Sequence, residues 1–195
     1  MAFSLETLKM QACSGEGVCR EAALWLYRNV PLDNLAAAAN EIRIRCCGDG
    51  ADLCTIINAK SGCCSENCAF CAQSAHHQTA VTTYPLLDEQ TVLKEAHYNS
   101  ARGVGRFALV TAGRQLKDAE VAQLCEIVKH LRAETPLSIC VSAGLLNRAQ
   151  FQALKRAGVT RIHNNLETSE RHFPALCTSH TFADKIRAIR DAQAV

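Results

Sequence analysis

Apolar positions along this chain shift from helical to alternating periodicity and back. From Ala22 to Ile42 they recur every three or four residues, through Trp25, Leu26, Leu32, Leu35, Ala36 and Ala39, with Pro31 as an interruption, so the stretch predicts helices. Cys46-Cys47-Gly48-Asp49-Gly50 reads as a turn, and Leu53 to Asn58, short, apolar and rich in β-branched residues, reads as a strand. After Pro85 the pattern is helical again, with Asp88 as cap and Gly103 as stop. Strand and helix then alternate. Arg106 to Thr111, Leu137 to Ser142 and Thr160 to Leu166 predict strands. Val121, Leu124, Cys125, Val128 and Leu131 mark one helix face. Asn147 caps a helix that carries Phe151 and Leu154 and stops at Gly158, and Phe182, Ile186 and Ile189 mark a last helix.

Strands alternating with helices of this size imply right-handed βαβ crossovers and a parallel sheet. The expected fold is α/β: the N-terminal part of a parallel (β/α) barrel, four βα units preceded by short helices. A helical segment over residues 1–45 would precede a barrel domain over 46–195 that stops before a fifth strand. In such barrels chemistry gathers at the C-terminal ends of the strands.

The 195 residues can bury a substantial core, and 48% of them are hydrophobic. The net charge of +2 is small, and Lys and Arg are dispersed, so neither a nucleic acid nor a membrane surface is an expected partner. No apolar stretch is long enough to span a bilayer, and the first thirty or so residues lack the basic start and apolar run of a signal peptide, so the expected compartment is the cytoplasm. Twelve cysteines in a secreted chain would suggest disulfides. With no secretion signal, metal or redox chemistry is the better account of the clustered ones, while Cys13, Cys19, Cys46, Cys47, Cys125 and Cys177 are expected to be small buried apolar groups.

Cys64-Ser65-Glu66-Asn67-Cys68-Ala69-Phe70-Cys71 places three thiols in one short loop directly after the first predicted strand. Thiolates favour zinc, copper(I) or iron–sulfur clusters, and both structural zinc sites and ordinary electron-transfer clusters take four protein ligands. Three cysteines on a four-iron cluster leave one iron without a protein ligand. A zinc site or inert buried cysteines are the alternatives. On the fourth predicted strand His163, Asn165 and Glu167 share a face, as do Ser138, Cys140 and Ser142 on the third. Polar residues on one face of a buried parallel strand suggest an active-site face, or else a solvated strand end.

Cys-x3-Cys-x2-Cys with an aromatic residue before the third cysteine resembles the signature of the radical S-adenosylmethionine (SAM) enzymes. Ile57-Asn58-Ala59-Lys60-Ser61-Gly62, the loop with Ala72-Gln73-Ser74, His163-Asn164-Asn165-Leu166-Glu167-Thr168-Ser169 and Cys177-Thr178-Ser179-His180-Thr181 together resemble the biotin synthase family, in consistent order from about Leu32 to Val195. The resemblance implies a barrel of the radical SAM type that converts dethiobiotin to biotin by sulfur insertion. It implies a 4Fe-4S cluster on Cys64, Cys68 and Cys71 that generates a 5′-deoxyadenosyl radical from SAM, with Phe70 beside the adenine. Asn165 and Glu167 match positions that contact the SAM ribose, Glu167 replacing a more usual Asp, and Thr111-Ala112-Gly113 matches contacts to the SAM amino group. A reducing electron-donor protein is implied as a partner, and a homodimer is possible. An auxiliary iron–sulfur cluster, 2Fe-2S or a variant, is also implied, with Cys140 matching one ligand. Ala108, however, stands where a second-strand cysteine is expected, and Cys54 is a candidate substitute, or else core filler. The alternatives are another enzyme of the same barrel group, such as a hydrogenase-maturation enzyme or a mutase, and a non-catalytic metal-binding fragment.

Overall fold

The computed structural model describes residues 3–195. The chain separates into two compact units, divided between Ala51 and Asp52. In the first, helices α1 (Leu5–Cys13), α2 (Arg20–Asn29) and α3 (Leu32–Cys47) bury Leu8, Ala22 and Ala38. Lys9 on α1 pairs with Glu41 on α3 at 2.6 Å. α3 runs through the predicted turn at Cys46-Cys47 and ends at Gly48, whose φ of 74° glycine adopts without strain. The expectation that Cys19, Cys46 and Cys47 are buried is corrected: all three are exposed. Cys46 and Cys47 lie on a face of α3 that buries little, and Cys19 is the extended residue that precedes α2.

The second unit is the α/β layer. In order it contains β1 (Cys54–Lys60), α4 (Glu89–Ser100), β2 (Arg106–Thr111), α5 (Asp118–Glu134), β3 (Ser138–Ser142), α6 (Arg148–Ala157), β4 (Arg161–Ile162), α7 (Phe173–Leu176) and α8 (Phe182–Gln193). The strands form one parallel sheet in the order β1-β2-β3-β4. Local chemistry sets the helix starts: Asp88 accepts from the Thr91 amide at 2.8 Å, and Asn147 and Gln150 bond reciprocally. Among the described residues no helix is long and apolar enough to cross a membrane.

Alternation along the strands divides the sheet's faces. Phe107, Leu109, Ile139 and Val141 pack under α5 and α6 against Leu124, Ile127, Val128, Leu131 and Leu154, all of them buried. The opposite face carries three rows set by the register: Cys54, Arg106 and Ser138; then Ile56, Ala108, Cys140 and Arg161; then Asn58, Val110 and Ser142 at the C-terminal end. Cys140 and Ala108 are neighbours in the middle row and are buried, whereas Ile56 on the edge strand is 66% exposed.

The fourth strand is shorter than its pattern. Only Arg161 and Ile162 are strand, and the last ladder bond runs from His163 N to Val141 O at 2.9 Å. β3 ends at Ser142, and no strand pairs with the other edge of β4 among the described residues, so the backbone leaves the sheet. The alternation nevertheless continues beyond the ladder, with His163, Asn165 and Glu167 exposed and Asn164 and Leu166 half-buried. α7 had no counterpart in the sequence pattern.

Candidate iron–sulfur and SAM site

β1 delivers the chain into the cysteine loop, and the loop is held by its own backbone. Cys71 N donates to Cys68 O at 3.0 Å, Cys64 N to Gln73 O at 3.0 Å, and Ala75 N to Cys64 O at 2.8 Å. The Gln73 side-chain oxygen accepts from Gly62 N at 2.6 Å and Ser61 Oγ at 3.1 Å, and buried Ser74 donates to the Glu66 carbonyl at 2.7 Å. Such closure fixes three thiols without using their sulfurs. Cys64 is buried, and Cys68 and Cys71 are half-buried. All three line a cavity of about 310 Å³ at the C-terminal end of the sheet, together with Phe70, Asn58, Ser142 and Glu167. Thr111, Ala112 and Gly113 line the same cavity.

Phe70 is 57% exposed at the cavity mouth. Glu167 reaches the cavity with φ at 67°, a left-handed conformation that is strained for a residue with a side chain, as functional positions often are. Asn165 is not part of the lining, and its Oδ1 lies 2.8 Å from His163 Nε2. Cys140 lies away from this cavity in the middle row of the sheet, where burial pushes its thiol up despite the nearby Arg161 and Arg106 charges. Cys54 is exposed at the sheet edge.

The structure also assembles a polar network that the sequence pattern did not single out. Buried Glu66, between the first two loop cysteines, accepts from Ser179 Oγ at 2.8 Å, His180 Nδ1 at 2.5 Å and Arg114 Nη1 at 3.3 Å. Burial raises its carboxyl, but the Ser179 and His180 hydrogen bonds and the Arg114 charge outweigh it and hold the group below its ordinary value. Asn67 Oδ1 accepts from the amides of Thr178 and Ser179 at 3.0 and 3.1 Å. The Cys177 to His180 segment is thereby fastened beneath the loop. Cys177 is buried as expected, yet it is not inert packing: its Sγ lies 3.7 Å from Cys68 Sγ and 3.2 Å from His180 Nδ1. Burial, then the Cys177, Cys71 and Cys64 sulfurs, push the Cys68 thiol up to about 12. For Cys177 the burial effect is outweighed by bonds from Ser179, from the His180 and Ser179 amides and from Cys68, and its thiol sits below its ordinary value. Lys185 and Arg114 add two positive groups to the cavity wall.

Three soft thiolates around one cavity mouth, each on a backbone fixed by other atoms, suit an iron–sulfur cluster as a donor set. A parallel sheet with a three-thiolate loop after its first strand defines a class: residues 59–195 match the radical SAM superfamily, and the chain belongs to it. Within that superfamily it is similar to curated biotin synthases. It is 47% identical to that of Akkermansia muciniphila, across 96% of this chain and 59% of that protein. It is 54% identical to that of Heliobacterium modesticaldum, across 73% and 44%. The chain thus spans about 60% or less of the length of these relatives. The fold is shared with methylornithine synthase (TM-score 0.77, 20% identity, 98% of this chain and 56% of that one) and with the FeFe-hydrogenase maturase HydG from Carboxydothermus hydrogenoformans (TM-score 0.75, 17% identity, 97% and 45%).

Proposed function

We propose that this chain carries the SAM-cleaving centre of an enzyme that inserts sulfur into dethiobiotin to form biotin. The observation that carries the reading is the convergence of Cys64, Cys68 and Cys71 on the cavity that Phe70, Thr111, Ala112, Gly113 and Glu167 also line. The similarity to biotin synthases supports the choice of substrate. The three cysteines would hold a 4Fe-4S cluster, which when reduced by an electron-donor protein supplies the electron that cleaves SAM to a 5′-deoxyadenosyl radical. The other residues bind and orient. Phe70 offers an apolar face to the adenine, Glu167 and Asn165 offer acceptors to the ribose hydroxyls, and the backbone at Thr111 to Gly113 receives the amino group. Asn165 would have to exchange its His163 partner for the nucleoside. Twelve unpaired thiols suit a reducing compartment, and the reading places the protein in the cytoplasm.

The test is anaerobic reconstitution with iron and sulfide, followed by iron analysis, electron paramagnetic resonance and SAM cleavage. The parent chain should hold four irons, and the Cys64→Ala/Cys68→Ala/Cys71→Ala variant none; retention of the full signal in that variant refutes the ligand assignment. Glu167→Ala and Asn165→Ala should keep the cluster and weaken SAM binding by about 1–3 kcal/mol each.

A second reading, a radical SAM enzyme that inserts no sulfur, is favoured by one observation: Ala108, which cannot ligate iron, is the direct strand neighbour of Cys140. Cys140→Ala in the biotin-forming enzyme separates the two. If Cys140 ligates an auxiliary sulfur-donor cluster, biotin formation stops while 5′-deoxyadenosine is still made. Unchanged biotin output makes Cys140 packing, and absence of dethiobiotin turnover in the parent supports the second reading.

A further inference from the structure

Cys177 is a buried thiol that the reaction described above does not use, and its sulfur lies 3.7 Å from that of Cys68, which the reaction does use. The backbone sets the two residues opposite each other. Asn67, directly before Cys68, accepts the Thr178 amide on its Oδ1 at 3.0 Å and donates its Nδ2 to Thr178 Oγ1 at 2.6 Å. Ala69, directly after Cys68, donates its amide to the Leu176 carbonyl at 2.8 Å. The two segments therefore run antiparallel, with Asn67 beside Thr178 and Ala69 beside Leu176, and Cys68 faces Cys177 between two clamps. Opposed residues of antiparallel segments stand about 4.5–5.5 Å apart at Cα, inside the range of about 4.4–6.8 Å that a disulfide spans.

Sulfurs already in contact reach the bonded separation of about 2.05 Å by side-chain rotation, with the clamped backbones in place. Both residues line the cavity of about 310 Å³, so a small oxidant reaches them although Cys177 is only 5% exposed. Hydrogen peroxide balances the chemistry. One sulfur, as thiolate, attacks a peroxide oxygen and breaks the O–O bond, giving S–OH and a hydroxide that takes up the proton lost from that thiol. The second sulfur then displaces the hydroxyl group, which leaves as water with the second thiol's proton. Two thiols are oxidised to one disulfide, and one peroxide is reduced to two waters. A bound cluster would hold the Cys68 sulfur, so the bond belongs to the cluster-free chain.

We propose that Cys68 and Cys177 form a reversible disulfide when the cluster-free chain meets hydrogen peroxide, and that this bond withholds Cys68 from assembly of the four-iron cluster until a thiol reductant opens it. The disulfide stands on its own geometry. Only the effect on assembly rests on the cluster assignment made above.

The test treats the reduced, cluster-free 195-residue chain with equimolar hydrogen peroxide, alkylates the remaining thiols and maps the non-reduced digest by tandem mass spectrometry. Cys68 joined to Cys177 should be the first link formed, and dithiothreitol should remove it. A first link inside the loop, from Cys68 to Cys64 or Cys71, overturns the pairing, as does consumption of peroxide with no link. Asn67→Ala keeps both sulfurs but loosens one clamp, so it should form the link severalfold more slowly; an unchanged rate means that the clamps do not pair the two thiols and overturns the geometric argument. In reconstitution with iron and sulfide, the oxidised parent should lag behind the reduced parent, and cluster absorbance should appear only as the link disappears, sulfide itself acting as a thiol reductant. Cluster formed ahead of the loss of the link overturns the effect on assembly. Cys177→Ser, oxidised and compared with its own reduced sample, should show no such lag, and an equal lag there would place the block inside the loop. A fully reduced parent that assembles no cluster refutes the cluster assignment and leaves the mapped disulfide standing.

Discussion

Glu66→Gln tests whether the network beneath the cysteine loop is held by charge. The substitution keeps size and shape and removes the negative charge. Glu66 is 8% exposed, His180 5%, and the two are joined at 2.5 Å, with Ser179 Oγ at 2.8 Å on the same oxygen. A hydrogen bond to a charged partner contributes about 1.5–3 kcal/mol and a neutral one about 0.5–1.5, so losing the charge should cost about 1 kcal/mol for each of these two bonds. Arg114 is 38% exposed and its bond is longer, at 3.3 Å, so solvent screens most of its share and adds a few tenths at most. Because both donors meet the same oxygen, the new amide turned with its oxygen there keeps both bonds, as neutral ones. The total is about 2–3 kcal/mol. At about 2–4 °C per kcal/mol for a chain of this size, thermal unfolding of the metal-free protein followed by circular dichroism should fall by roughly 5–10 °C. A double-mutant cycle with Arg114→Met should show a coupling below about 1 kcal/mol, the range of a half-exposed pair. A fall of less than about 2 °C would mean that Glu66 is held by shape alone, contrary to this account.

Gly144, with φ at 75°, sits where a methyl group would collide with the Arg114 carbonyl, so Gly144→Ala should destabilise by about 2 kcal/mol or more and lower the thermal midpoint accordingly; an unchanged midpoint would refute the close approach. Lys60 and Glu120 pair at 2.6 Å, and although burial raises the Glu120 carboxyl, Lys60 and the Lys117 amide hold it below its ordinary value of about 4.5. Its stabilising share, about 1 kcal/mol, is therefore present above pH 4.5 and lost as pH falls through the lower folded value. Urea unfolding at pH 7 and pH 3 should show Glu120→Gln less stable than the parent at pH 7 and nearly equal to it at pH 3, and a difference that persists in acid would contradict the pairing.

The sequence by itself determined the elements whose signals are local. Asp88, Asn147 and Gly158 marked helix ends because caps and left-handed stops are made by the residue in place, and the alternation in β1 to β3 reports burial against helices that follow directly in the chain. The three-thiolate loop was legible because its spacing spans eight residues and needs no distant partner. Cys54, Ala108 and Cys140 could be assigned to strands, but only the register placed Ala108 beside Cys140 and left Cys54 in a different row at an exposed edge. The fourth strand was overcalled for the same reason: alternation from Thr160 to Leu166 is a property of the chain, whereas a ladder needs a partner, and β3 ends at Ser142. The Glu66, Arg114, Cys177 and His180 network depended wholly on the tertiary structure. Its members lie up to 114 residues apart, and what joins them is the folding of the segment after β4 back beneath the loop, where burial turns an ordinary glutamate, histidine and cysteine into a coupled set.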